Sequence, residues 1–212
     1  MPLFDLKRNL VFYGAYHRNP TNVAIHIACV PVLMATGFLF VRSCASSLTT
    51  ILLTILLPQG SNTPTLPLSN PLKFLARLNL PLNLGTVAAL TYSTLYLLLS
   101  PNLAGLSATP IIMSFAALAN KLIGGYNKAK VNTIAIAVHV VSWIAQFVGH
   151  GKYEGRKPAL LDNLVQALFL APLFVWYEVL FKMGFYKGLQ REVEVGIEEE
   201  VAKLKAKGKE GK

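Results

Sequence analysis

Four histidines are the residues of this chain best suited to chemistry, and all of them lie in or beside long apolar segments. His17 and His26 stand on either side of a turn signal in the stretch YHRNPTNVAIH, whereas His139 and His150 come much later. A polar side chain at membrane depth is costly and faces a protein interior or a cavity. Imidazole is also the commonest metal ligand in proteins. The histidines therefore predict a metal or cofactor site inside a membrane protein.

Helical spacing places the histidines on two polar stripes, because positions i, i+3, i+4 and i+7 share one face of a helix. The first stripe holds Asn19, Asn22, His26 and Cys29, and the second holds His139, Trp143, Gln146 and His150. Each helix is apolar elsewhere, so the two stripes are buried at least cost against each other. A lone histidine on an apolar helix is usually structural, but four histidines confined to two stripes favour ligation.

The spacing of the histidines restricts the form of such a site. His17 and His26 are nine residues apart, which is about 13.5 Å along an unbroken helix. His139 and His150 are eleven residues apart, about 16.5 Å by the same measure. Neither pair of histidines can hold one ion if both members lie on a continuous helix. The Asn-Pro dipeptide at 19–20, however, interrupts the helix between His17 and His26, and glycines disfavour a regular helix around His150. Antiparallel helices would place His17 near His150 and His26 near His139, in one four-histidine site or in two layers.

Polar and charged residues beside the histidines have alternative interpretations. Glu154 is a candidate metal ligand or a hydrogen-bond partner of a ligand, and equally a partner in an ion pair with Arg156 or Lys157. Arg18, Arg156 and Lys157 are candidates for holding a carboxylate head group, or else anchors at the lipid headgroups. Asn22 and Gln146 are expected to support the ligands through hydrogen bonds.

The composition indicates a polytopic membrane protein. Hydrophobic residues make up 53% of the 212, only 14% are charged, and the mean hydropathy is +0.48. A soluble domain carries about a quarter charged residues. The net charge of +10 lies in short segments between apolar runs and in the tail, which is typical of membrane-flanking charge and argues against a nucleic-acid partner.

The apolar runs predict an all-α polytopic membrane bundle with four to six apolar helices, some of them short or re-entrant. The runs cover residues 22–41, 46–57, 84–100, 108–119, 131–148 and 159–183. A span needs about 20 residues, so we expect either 46–57 or 108–119 not to cross. Residues 1–186 are expected to form one integral-membrane domain, and residues 187–212 a charged, solvated tail.

The ends of the chain and the loops give further expectations. Residues 3–16 are predicted to form a short interfacial helix, and the stretch NPTN to start the next helix. The Pro-rich stretch 58–71 is predicted to be a loop. The basic N-terminus and the lysine-rich tail favour two cytosolic termini, and hence an even number of crossings.

Two blocks of the chain resemble the membrane 2-hydroxy fatty acid dioxygenases, a family that includes a yeast enzyme of phytosphingosine degradation. The blocks are YHRNPTNVAIHIACVP and WIAQFVGHGKYEGRKPALLDNLVQALFLAPLFVWYEVLF, whereas the middle of the chain matches mainly in hydropathy. The resemblance implies an endoplasmic-reticulum enzyme that uses Fe(II) and O2 to shorten a 2-hydroxy fatty acid by one carbon. His17, His26 and His150 match the family motif most firmly and would be the catalytic metal ligands, while His139 lies outside the most distinctive part.

Two other functions also fit the stripes or the hydropathy. Two helices with two histidines each are compatible with a b-type electron carrier that binds two haems in layers. A non-catalytic membrane scaffold or transporter fits the hydropathy but leaves the histidine stripes unexplained.

Overall fold

The computed structural model describes residues 5–56, 70–155 and 164–210, and within these ranges the chain forms helices joined by short turns, without strands. The elements in chain order are α1 (Leu6–Tyr16), α2 (Pro20–Leu56), α3 (Asn70–Arg77), α4 (Leu84–Leu99), α5 (Leu103–Gly125), α6 (Lys128–Val148), a π-helical turn (Gly149–Glu154), α7 (Leu164–Lys182) and α8 (Lys187–Glu210). The predicted all-α class is confirmed. The Pro-rich stretch 58–71 lies almost entirely outside the described residues.

The break between α1 and α2 is encoded locally. The side chain of Asp5 accepts a hydrogen bond from the Arg8 amide and caps α1. Asn19 accepts from the Thr21 amide at 2.9 Å, and Pro20 opens α2, since proline lacks the N–H that the first turn leaves unpaired anyway. The predicted helix start is therefore present, and the short connection between the helices carries His17.

Helix α2 continues without interruption from Pro20 to Leu56. The predicted runs 22–41 and 46–57 are thus parts of one helix rather than two segments. The residues between them include Arg42, Ser43 and Cys44 but neither glycine nor proline, so nothing in the sequence there breaks a helix.

Helices α2 and α6 pack antiparallel, as the histidine stripes predict. Three side-chain contacts fix their register, because each step forward along α2 meets a step backward along α6. His26 lies against His150 with ring centroids 4.9 Å apart, the Thr36 hydroxyl lies 2.7 Å from His139 Nδ1, and the Ser43 hydroxyl donates to Asn132 at 2.8 Å. The polar stripes therefore face each other along a shared seam.

Three of the described helices are long and apolar enough to cross a membrane: Pro20–Cys44, Leu103–Gly125 and Lys128–Glu154. Segments Leu168–Lys182 and Lys187–Ala202 meet the same criterion as a pair bent by 118°, and Leu84–Leu99 is a shorter apolar helix. These helices confirm the predicted bundle of four to six apolar helices, some of them short. The predicted short run 108–119 lies inside the 23-residue helix α5.

Two tyrosines hold α4 against the proline-containing turn of α7. Pro172 has no N–H, so the carbonyl four residues earlier, on Leu168, lacks its helical donor. The Tyr92 hydroxyl donates to the Leu168 carbonyl at 3.3 Å, and the Tyr96 hydroxyl donates to the Phe169 carbonyl at 2.8 Å. The side chains of α4 thus satisfy backbone groups that the proline exposes.

The charged tail forms helix α8, which packs on α1. Its Val193 and Ile197 are buried, and Ile197 lies directly against Gly14 of α1. Ion pairs join Lys7 to Glu192 at 2.7 Å and Arg18 to Glu194 at 2.9 Å. The tail was expected to be solvated, but one face of its helix is docked on the helix that precedes His17.

Replacing Gly105 by alanine should destabilise the bundle by about 1–3 kcal/mol, because the added Cβ would press on backbone and overpack the site. It would meet the carbonyl oxygens of Tyr96 and Ser100, where α5 crosses the end of α4. Gly124 of the same helix is the control, since a Cβ there meets nothing within 4 Å. Thermal unfolding in detergent measures both variants, and equal stability of the two would contradict the close approach of α4 and α5.

Candidate metal centre

Three of the four histidines come together in one buried cluster. His17 follows α1, His26 lies in the second turn of α2, and His150 lies in the π-helical turn. One ring nitrogen from each lies within 4.8 Å of the others. The ring centroids are 4.4, 4.8 and 4.9 Å apart, and the ring planes meet at 71–80°. Three imidazoles thus converge edge-on, and the group could hold a single metal ion.

The backbone sets which ring nitrogen of His17 and His26 faces the cluster. His17 Nδ1 donates to the Tyr13 carbonyl at 2.7 Å, and His26 Nδ1 donates to the Asn22 carbonyl at 2.9 Å. The Tyr13 carbonyl is available because the His17 amide turns to Gly14 instead. A proton on Nδ1 leaves the lone pair on Nε2, which is the usual arrangement of a metal-binding histidine.

His150 reaches the cluster because α6 ends in a π-helical turn. The turn spans Gly149–Glu154, and π-helical segments often occur at functional sites. Gly149 lies so close to Asn22 that a Cβ would collide with the Asn22 side-chain oxygen. The missing side chain therefore lets the end of α6 approach α2 and brings His150 to the other two histidines.

The cluster has the chemical character of a metal-ligand set. His17, His26 and His150 are 8%, 4% and 3% exposed. His17 Nε2 and His150 Nδ1 are buried and have no hydrogen-bond partner among the described residues. Buried polar atoms are seldom left unpaired, so these nitrogens fit a ligand that they bind directly.

Burial lowers the pKa of His17 well below its ordinary value, and the neighbouring His26 lowers it further. The hydrogen bond to the Tyr13 carbonyl opposes this shift without reversing it. His17 is therefore a neutral imidazole at neutral pH, which is the form that binds a metal.

Glu154 joins the π-helical turn to the start of α2. Its Oε1 accepts hydrogen bonds from the Asn19 amide at 2.8 Å and from Asn22 Nδ2 at 3.1 Å. A carboxylate is favourable at a helix N-terminus, where unpaired amides point outward. Glu154 therefore ties the π-helical turn that carries His150 to the start of α2. Its candidate ion-pair partners, Arg156 and Lys157, lie outside the described residues.

The structure does not bring His139 to the cluster. Its Nδ1 lies 2.7 Å from the Thr36 hydroxyl, and its Nε2 accepts from Trp143 Nε1 at 3.0 Å. In the observed register His139 lies level with Thr36, ten residues beyond His26 on α2, or about 15 Å along the helix axis. With both ring nitrogens in hydrogen bonds, His139 has the environment of a structural histidine.

The other predicted site residues occupy different surroundings. Arg18 is paired with Glu194 of α8 at the surface. Gln146 is buried one helical turn before His150, and its Nε2 has no hydrogen-bond partner among the described residues. Arg156 and Lys157 lie outside the described residues.

The structure adds Tyr13, which the sequence patterns did not single out. Its ring stacks on the ring of His17 with centroids 3.9 Å apart and planes at 16°. Burial raises the pKa of the Tyr13 phenol well above its ordinary value, and the charges of Glu178 and Glu154 add to this, so the phenol keeps its proton. The sequence feature that could have identified Tyr13 is its position four residues before His17, which is the same spacing that separates Asn22 from His26.

A helical bundle with membrane-length apolar helices and a buried cluster of three imidazoles defines a membrane protein with a site suited to a metal ion. The chain belongs to the Mpo1-like family: the model described as 2-hydroxy-palmitic acid dioxygenase Mpo1-like matches residues 3–183. It is 33% identical over 196 residues to the 2-hydroxy-palmitic acid dioxygenase MPO1 of Saccharomyces cerevisiae, which covers 92% of this chain and 91% of the relative. No solved structure matches the chain significantly. The family predicted from the two sequence blocks is confirmed.

Replacing Gly149 by alanine should weaken metal binding about 10-fold or more, the usual cost of disturbing the groups that orient metal ligands. The new Cβ would displace Asn22, whose carbonyl holds the ring of His26. Gly151, on the other side of His150, is the control, because a Cβ there meets nothing within 4 Å. Metal analysis of both purified variants after dialysis against a chelator tests this, and equal retention in the two would contradict it.

Proposed function

We propose that this protein is an Fe(II)-dependent dioxygenase that shortens 2-hydroxy fatty acids by one carbon. One observation carries the proposal: a chain of the Mpo1-like family buries three imidazoles around a common point. The yeast relative is named for dioxygenation of 2-hydroxy-palmitic acid. Imidazole suits Fe(II), and oxygenases of this kind combine a few protein ligands with open coordination positions.

His17, His26 and His150 would hold the iron through their inward-facing nitrogens. Fe(II), if bound, would supply the redox chemistry with O2, and three protein ligands would leave room for O2 and the hydroxy acid. The protein contributes fixed imidazole rings and a buried, water-poor environment. Arg18, which directly follows His17, is proposed with Arg156 and Lys157 to attract the substrate carboxylate at the headgroup level.

The proposed reaction balances with O2 as its sole oxidant when the lost carbon leaves as carbon dioxide. In RCH(OH)COO⁻ + O2 → RCOO⁻ + CO2 + H2O, the C1–C2 bond breaks and C2 becomes the new carboxylate carbon. The substrate supplies all four electrons that reduce O2, so neither an external reductant nor a net proton is needed. A membrane site that binds only a hydroxy acid and O2 therefore suffices for the complete oxidation.

We propose that the acyl chain of the substrate lies among apolar helices and in the bilayer while its polar end reaches the histidine cluster. The membrane-length helices support this arrangement. The protein is proposed to reside in the endoplasmic reticulum membrane with both termini in the cytosol, where it would act in the degradation of phytosphingosine and other sphingoid bases. The positive charges near both ends of the chain support the orientation.

The geometry does not favour a dihaem electron carrier. A haem with two axial histidines needs its plane between two separated rings. The three clustered rings are mutually edge-on within 4.9 Å, and His139 is hydrogen-bonded elsewhere on the seam. This arrangement suits one small ion rather than two haems.

Alanine at His26 or at His150 should abolish both bound iron and turnover, because each change removes one of three ligands. Alanine at His139 decides between a three- and a four-histidine site, and we expect it to retain iron because that ring lies apart from the cluster. Iron analysis of anaerobically purified protein, together with detection of pentadecanoic acid formed from 2-hydroxypalmitate, measures both quantities. Full activity of the His26 or His150 variant would rule out the site.

Turnover of 2-hydroxypalmitate should consume one O2 and release one CO2 per pentadecanoate, without any added reductant. An oxygen electrode and 1-¹⁴C-labelled substrate measure the two gases. A requirement for a stoichiometric reductant or an oxo-acid co-substrate would contradict the proposed balance and point to a different class of iron oxygenase.

A further inference from the structure

Unpaired polar atoms are concentrated around the histidine cluster. In the described part of the chain, seven buried side-chain nitrogen or oxygen atoms have no hydrogen-bond partner. Two of them are the ring nitrogens of His17 and His150, and three more belong to Tyr13, Asn22 and Gln146. Since native proteins rarely leave such atoms unpaired, a cluster of them marks where a ligand makes its hydrogen bonds.

These three residues share one position relative to the histidines. Tyr13, Asn22 and Gln146 stand four residues before His17, His26 and His150 respectively. Positions i and i+4 lie on the same face of a helix, one turn apart. Each histidine therefore has one unpaired polar side chain four residues before it in the chain, and the ring of Tyr13 stacks directly on that of His17.

The types of the unpaired atoms are known. The Asn22 Nδ2 donates to the carboxylate of Glu154, which can only accept, so the atom left free on Asn22 is the acceptor Oδ1. Asn22 is 0% exposed, and its Oδ1 lies against Gly149, the residue before His150. Tyr13 and Gln146 offer donors, a phenolic O–H and an amide N–H, and both side chains are more than nine-tenths buried.

We propose that Tyr13, Asn22 and Gln146 bind the polar end of the substrate, with Asn22 Oδ1 accepting from the 2-hydroxyl and the Tyr13 and Gln146 donors bonding to the carboxylate. This inference rests on the proposed function and names the residues that recognise the hydroxy acid. One acceptor and two donors complement a group that has one hydroxyl donor and one carboxylate. The set makes the 2-hydroxyl a requirement for binding rather than only a site of oxidation.

Selectivity follows from the cost of leaving Asn22 unpaired. A fatty acid without the 2-hydroxyl would cover Asn22 Oδ1 and give it no donor, and sites built around a substrate hydroxyl reject analogues that lack it. Hydrogen bonds that involve a charged group are worth enough to change an affinity about 10- to 100-fold. The structure thus assigns discrimination to Asn22 and general carboxylate affinity to Tyr13 and Gln146.

The test is equilibrium binding of 2-hydroxyhexadecanoate and of hexadecanoate to the iron-loaded protein without oxygen. Tyr13→Phe keeps the ring that stacks on His17 and removes only the hydroxyl, while Gln146→Met keeps the length of the side chain and removes the donor. Each should raise the Kd of both acids about 10-fold or more with iron content unchanged. Asn22→Leu should raise the Kd of the hydroxy acid selectively, so that the preference over hexadecanoate disappears.

Ser93→Ala is the matched control. Ser93 also has a buried hydroxyl without a partner among the described residues, but it lies on α4, which carries none of the histidines. Its removal should leave both dissociation constants unchanged. A change in Ser93→Ala as large as that in Tyr13→Phe would show that the effects are not specific to the cluster and would overturn the inference.

The outcomes separate this inference from the proposed function. Wild-type turnover of 2-hydroxypalmitate with unchanged binding in Tyr13→Phe and Gln146→Met would overturn the inference and leave the function standing. Equal affinity of the wild type for the two acids would also overturn it. Selective binding of the hydroxy acid that is lost in the Asn22 variant supports the inference even where no chain shortening is found, in which case the proposed function is the part that fails.

Discussion

Burial of imidazole nitrogens is the constraint on which the rest of this structure depends. Each ring has two nitrogens, and in an apolar bundle both need a partner. His17 and His26 satisfy one nitrogen with a carbonyl four residues earlier in the chain. The orientation of each ring is therefore set locally, by its own helix. Tertiary packing has only to bring the ends of the helices together for the remaining nitrogens to converge.

The antiparallel seam between α2 and α6 performs that task. Its polar contacts recur at the levels of His26, Thr36 and Ser43 on α2, with apolar residues between them. Helices that meet within lipid gain little from the hydrophobic effect, so interhelical hydrogen bonds and close packing of small residues specify their register. Gly149 supplies the close approach at the cluster itself. The same contacts that align the helices thus position the candidate ligands.

The sequence predicted the helical bundle, the facing of the two stripes and the cluster of His17, His26 and His150. The first two predictions follow from helical periodicity and from the cost of polar groups in lipid. The choice of these three histidines came from the resemblance to the dioxygenase family, because their spacing alone allowed one four-histidine site or two layers. The position of His139 could not be predicted, because the register of two antiparallel helices depends on which side chains pack, and a stripe allows several registers. The docking of α8 was also missed, since the buried residues of its described part, Val193 and Ile197, are few among many charges.

The order in which the cluster residues occur along the chain has a consequence for biogenesis. His17 and His26 leave the ribosome early, but His150 follows only after helices α3 to α6 have been synthesised. The cluster cannot be complete until α6 has been inserted beside α2. An ion held by all three histidines would therefore bind late, after the bundle has assembled. It would then cross-link the first helices to the later ones. Metal binding would in that case follow the insertion of the helices rather than precede it.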